Sequence, residues 1–171
     1  VENSAATISI YNGANAITQE ELKAVFDAYR RDHTEHFWLG NSYSISYNAA
    51  TVLSLTPSYT LSGTALQTAK TAFDAAVSEM LSGITSSMSE YAREKLLHDR
   101  LAARVTYDGT GANAHDAYGA LVEGKAVCEG YAEAFQYLLQ KAGIQSFIIT
   151  GTSNNPATGS PEGHAWNAVR I

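Results

Sequence analysis

A single cysteine and three prolines are spread over 171 residues, and the first scarcity already excludes something. One cysteine cannot close an internal disulfide, so an apolar core must hold the fold. No stretch of eighteen apolar residues occurs, so no membrane-spanning helix is expected. Val1-Glu-Asn-Ser lacks the basic and apolar regions of a signal peptide. There is no basic stripe either. Eleven Lys and Arg are scattered evenly among 17 Asp and Glu, for a net charge of −6. That balance argues against nucleic acid, an anionic membrane surface or an acidic partner.

Metal-ligand patterns are also missing. The stretch Asp108-Gly-Thr-Gly-Ala-Asn113 lacks the alternating oxygen ligands and closing Glu of an EF-hand loop. His33 and His36 flank aromatic residues and read as packed or exposed side chains. No metal and no cofactor are expected. What is plentiful is the neutral hydroxyl: ten tyrosines with many Ser and Thr. This composition favours an extracellular or cell-envelope protein over a cytoplasmic one, although the lone cysteine fits either compartment.

The length suits one compact unit, a core domain at residues 63–171 preceded by a small N-terminal α+β segment at 1–62. In that segment, residues 5–11 alternate as a short strand with Ile8 and Ile10 on one side, and Asn12-Gly13 turns the chain. Thr18-Gln-Glu-Glu21 is a capping box that opens a helix with Leu22, Val25, Phe26 and Tyr29 inward. Tyr43, Ile45 and Tyr47 alternate with serines and lead through Asn48-Ala-Ala50 into Val52–Leu55, a hairpin ended by Pro57. Thr64-Ala-Leu-Gln67 and Ser87-Met-Ser-Glu90 read as two more capping boxes. The helices after them carry the stripes Leu66, Ala69, Phe73, Val77, Met80 and Tyr91, Leu97, Leu101, Val105, with His98 as a core histidine at the edge of the second.

The chain is organised around residues 124–135, Gly-Lys-Ala-Val-Cys-Glu-Gly-Tyr-Ala-Glu-Ala-Phe. The apolar spacing through Tyr131, Phe135, Leu138 and Leu139 predicts a helix that begins at Cys128 and stops at Gly143. A thiol in the first turn lies at the positive end of the helix dipole, which favours thiolate. No Ser, Thr, Asp or Asn immediately precedes it, so first-turn N–H groups are left to hold an oxyanion. Lone cysteines are commonly buried and inert. A second segment, Glu162-Gly-His-Ala-Trp-Asn-Ala-Val-Arg-Ile, raises the case for chemistry by supplying His164 on a strand as the base. Residues 145–151 form a continuous apolar strand covered on both faces, and 152–163 form a loop that hangs beside the site.

Cys-x-Gly-Tyr-Ala-x-Ala-Phe, then Ala-Gly-Ile, then His-Ala-Trp-Asn resemble the bacterial transglutaminase-like family, whose core is shared with papain-type cysteine proteases. The likeness reaches upstream through Tyr107-Asp108, Ala117-Tyr-Gly-Ala-Leu-Val and Leu97-His-Asp, and covers roughly residues 90–171. It implies an α+β fold with the catalytic helix packed on an antiparallel sheet, Cys128 as nucleophile and His164 as base. It further implies a peptide or protein substrate, such as cell-wall or surface protein material, with Tyr118 and Trp166 as substrate contacts. The family places an Asp on the strand after the histidine. No Asp follows His164 in the seven residues that remain, so that residue is expected beyond the chain end and this piece is expected to be impaired. Two readings stand: thiol-dependent acyl transfer or hydrolysis, and a non-catalytic binding or structural module that keeps the cleft.

Overall fold

A computed structural model describes residues 6–11, 16–49, 51–155 and 158–171. The turn expected at Asn12-Gly13 lies outside them, as do Ala50 and residues 156 and 157. The chain divides into two compact units, Val1–Ala69 and Lys70–Ile171.

The first unit contains β1 (Ile8–Ser9), α1 (Gln19–Asp32), β2 (Leu39–Asn48) and β3 (Thr51–Tyr59), with the antiparallel sheet order β1-β3-β2. The capping box forms as the sequence requires: Glu21 N–H donates to Thr18 Oγ1 at 3.1 Å, and Thr18 N–H donates to the Glu21 carboxylate at 2.8 Å. Leu22 and Phe26 pack with Leu39, Val52 and Leu55. Val25, expected inside, is 61% exposed. Val25 is three residues from Leu22 and shares its side of the helix, but burial depends on what packs opposite, and the core covers Leu22 and Phe26. Pro57 does not end β3. The strand runs to Tyr59, and Pro57 lies beyond the two residues that pair with β1, where its missing N–H costs no ladder bond.

Helix α2 (Gly63–Leu81) begins in the first unit and continues into the second. It starts at Gly63, so Thr64 lies inside it and is not its cap. The next helix, α3 (Glu90–Arg104), is capped by Ser89, which accepts from Ala92 N–H at 3.2 Å. Ser87 instead bonds the Thr85 hydroxyl at 2.7 Å. Where several serines precede a helix, the one whose side chain reaches the third following N–H becomes the cap. Tyr91 and His98, both expected in the core, are exposed. Only Leu97, Leu101 and Val105 of the α3 stripe are buried.

Two short strands, β4 (Thr106–Tyr107) and β5 (Lys125–Ala126), pair in parallel, pairing Tyr107 with Ala126. Between them a π-helical turn, Gly119–Glu123, is held by Asp116, whose carboxylate accepts from Gly119 N–H at 2.9 Å. Then come α4 (Cys128–Lys141), β6 (Ser146–Asn154) and β7 (Pro161–Val169). The last two make an antiparallel hairpin against α4, as the catalytic-helix-on-sheet expectation requires. Its strands extend into the stretch expected to be loop. The apolar run of β6 is covered on one face only: Phe147 is 55% exposed, while Ser146 is buried and donates to Gln136 Oε1 of α4 at 2.8 Å.

Candidate active site

Cys128 is the first residue of α4, and Val127 before it provides no side-chain cap. The valine side chain has no oxygen to accept an N–H, so the first-turn donors are not taken by a side-chain cap. The start of the helix is clamped from outside. Val127 N–H donates to the Ala114 carbonyl at 2.9 Å, and that same carbonyl would lie 2.7 Å from a Cβ placed on Gly130. Glycine at 130 therefore lets the 114–116 loop touch the first turn. Glu129, the acidic residue in that turn, faces His115 Nδ1 at 3.2 Å.

On β7 the side chains alternate. Ala165, Asn167 and Val169 form the side toward α4, where Ala165 is buried and Asn167 Nδ2 donates to the Ala132 carbonyl at 2.9 Å. His164 and Trp166 belong to the opposite face, with rings stacked at 5.8 Å between centroids. Trp166 lies over Gly151 of β6, where a Cβ would meet its ring at 2.9 Å.

The two sequence-named residues nevertheless share one cleft, of about 530 Å³, between α3, α4 and β7. Cys128, Tyr131 and Phe135 form the α4 wall; Glu94, His98 and Leu101 form the α3 wall; His164 and Trp166 lie along the β7 side. No hydrogen bond joins Cys128 to His164 among the described residues. Tyr118 is not part of this lining; it precedes the π-helical turn.

A residue that sequence reasoning missed as a site group is Tyr107. It lines the same cleft, and its ring stacks on Tyr131 at 6.2 Å with an interplanar angle of 19°. Tyr131 is itself fixed by donating its hydroxyl hydrogen to the Val105 carbonyl. The pairing of Tyr107 with Ala126, two residues before the cysteine, explains the placement. Although the residue is 65% exposed, its hydroxyl end loses water. That desolvation, with the negative charge of the Cys128 sulfur, holds the Tyr107 pKa above the ordinary phenol value, while donation from Cys128 N–H works the other way. The one signal for this in the sequence was the Tyr107-Asp108 pair.

None of the upstream aspartates serves His164. Asp99 is engaged by Lys95 at 2.5 Å and His98 at 3.2 Å, and Asp116 caps the π-helical turn. Asp108 is held down at about 2, first by hydrogen bonds from Thr110 and then by Lys125, whose Nζ is 2.9 Å away. Among the described residues, no carboxylate orients the imidazole.

Residues 77–171, more than half of the chain, match the model of the transglutaminase-like superfamily. The chain belongs to that superfamily. Its fold is thus one that carries thiol-dependent acyl transfer and hydrolysis. No curated protein matches this transglutaminase-like chain. Among solved structures, "Crystal structure of a TGase" is similar over 96% of this chain at 15% identity, with a TM-score of 0.48. The chain spans 47% of the length of that one. No helix among the described residues is long and apolar enough to cross a membrane.

Proposed function

We propose that this transglutaminase-like domain catalyses thiol-dependent acyl transfer or hydrolysis on peptide or amide substrates, with Cys128 as nucleophile and His164 as acid and base. The observation that carries it is the chain's single thiol, at a helix start without a side-chain cap, lining one cleft with an imidazole from a separate strand. Substrate enters along the Tyr107 and Trp166 rim, whose aromatic rings suit an extended peptide of a protein substrate, such as cell-wall or surface material.

The Cys128 thiol gives its proton to His164, the sulfur attacks the carbonyl carbon, and the oxygen takes up the displaced electron pair. The Tyr107 hydroxyl is a donor for that oxyanion, and Cys128 N–H, which donates to the Tyr107 oxygen before substrate arrives, turns to it as the second. Protonated His164 gives its proton to the leaving amine as the C–N bond breaks, which leaves a thioester. Water or a second amine then attacks the thioester. His164 takes its proton, and the sulfur departs.

Thiol alkylation measured against pH tests the pair. The alkylation profile of Cys128 shifts when His164→Ala is introduced, and a profile identical in both proteins, typical of an isolated thiol, overturns the reading. Mass spectrometry of a peptide incubated with a primary amine then separates cross-linking from hydrolysis. One observation favours a second reading, a non-catalytic binding module: His164 has no orienting carboxylate among the described residues. Retention of full biological activity by Cys128→Ser would select it.

A further inference from the structure

The end of α1 gathers a group of side chains that the acyl chemistry does not use. His33 caps the helix, and His36 N–H donates back to the His33 carbonyl at 3.0 Å. This one tight turn brings the side chains of His33, Glu35 and His36 together. One nitrogen of each imidazole and one oxygen of the Glu35 carboxylate all lie within 4.8 Å of one another. Sequence reading took the two histidines as packed or exposed side chains because no acidic cluster stands beside them; the turn supplies the missing carboxylate from Glu35.

We propose that His33, Glu35 and His36 form a binding site for a divalent transition-metal ion of the zinc class. Two observations beyond the residue types support it. First, the spacing is right. A metal bound at about 2.0–2.1 Å by tetrahedral ligands sets neighbouring donor atoms roughly 3.3 Å apart, and His33 Nδ1 is 3.2 Å from Glu35 Oε1. The three donor atoms lie within 4.8 Å of one another, so the widest pair needs a contraction of at most about 1.5 Å to reach that spacing. Second, the other Glu35 oxygen is buried with no hydrogen-bond partner among the described residues. A buried carboxylate oxygen is costly unless something neutralises it, and a cation on the same carboxylate does so.

The surroundings hold the turn in place. Thr34 and Trp38 are each 2% exposed, so the backbone on both sides of Glu35 is anchored in the core. Tyr29 stacks on His33 at 4.4 Å between centroids, and its hydroxyl lies 2.9 Å from His36 Nδ1. A hydrogen bond to one imidazole nitrogen fixes ring orientation, as outer groups do at metal centres. Two imidazoles and one carboxylate select zinc, nickel or copper over calcium and magnesium, which prefer all-oxygen shells. Bound metal ties the C-terminal end of α1 to the start of β2 and stabilises the first unit by mass action.

The test uses the full chain with Cys128→Ser, so that the thiol cannot bind metal itself. After removal of metal by chelation, titration with Co²⁺ gives the visible bands of a nitrogen and oxygen site at one equivalent, and Zn²⁺ abolishes them by competition. Zinc also raises the thermal midpoint. His33→Ala and Glu35→Gln each weaken binding at least ten-fold, and the double variant removes it. In zinc-titrated protein, the imidazole NMR resonances of His33 and His36 shift while those of His98, His115 and His164 do not, a reading that needs no further substitution at the site. Absence of cobalt bands and zinc heat at millimolar metal, shifts confined to the other histidines, or unchanged binding in the double variant overturns the proposal.

Discussion

The Asn167 side chain donates to the Ala132 carbonyl at 2.9 Å, joining β7 to the helix that Cys128 begins, one turn past the thiol. The bond sets how far His164, three residues earlier on the strand, stands from the helix start. Asn167→Ala removes one hydrogen bond, worth about 1 kcal/mol of stability. Activity falls further than that, by roughly ten- to a hundred-fold, because misplacing a catalytic group by about 1 Å costs on that order. Denaturant midpoints and kcat/KM measured on the same protein check the separation.

Tyr107→Phe separates oxyanion stabilisation from thiol reactivity. Loss of one donor lowers acyl transfer about 10²- to 10³-fold, with KM little changed. Alkylation of Cys128 by iodoacetamide, which develops no oxyanion, keeps its rate. Equal loss in both reactions, or a gain in acyl transfer, contradicts the assigned role.

Acid should destabilise the β4–β5 region through Asp108. Its folded pKa of about 2 lies below the ordinary 3.8, so the carboxylate contributes stability that is present above 3.8 and lost as pH falls through about 2. Asp108→Asn removes that dependence. The stability gap between wild type and variant is expected to close across this window, as followed by urea midpoints at successive pH values.

Gly130→Ala probes the clamp on the α4 start. A Cβ there meets the carbonyl oxygens of Ala114 at 2.7 Å and Asp116 at 2.9 Å, both backbone groups that cannot swing aside. The gain in helix propensity from alanine is about 1 kcal/mol, and overpacking costs about 1–3 kcal/mol, so the net effect is a lower thermal midpoint. Thiol accessibility of Cys128 rises as the loop is pushed away.

Much of the scaffold was legible because it depends on neighbours in sequence. Thr18 and Glu21 close their box within one helical turn, and the stripe of α2 from Leu66 to Met80 is buried as its spacing requires. The cap of α3 was misplaced by two residues because Ser87 and Ser89 carry the same chemistry and only geometry chooses between them. Tyr91 and His98 fit a helical stripe yet face solvent, since burial depends on what packs opposite.

The sequence by itself determined the start of the cysteine helix, the missing side-chain cap before it and the histidine-bearing strand near the C-terminus. Each follows from residue types a few positions apart. Only tertiary structure decided that Asn167, and not His164, faces the helix, that Tyr107 reaches the thiol from 21 residues upstream, and that one tight turn brings Glu35 to two histidines. Those relations depend on strand face, parallel pairing and turn closure in three dimensions, for which residue order alone sets no distance.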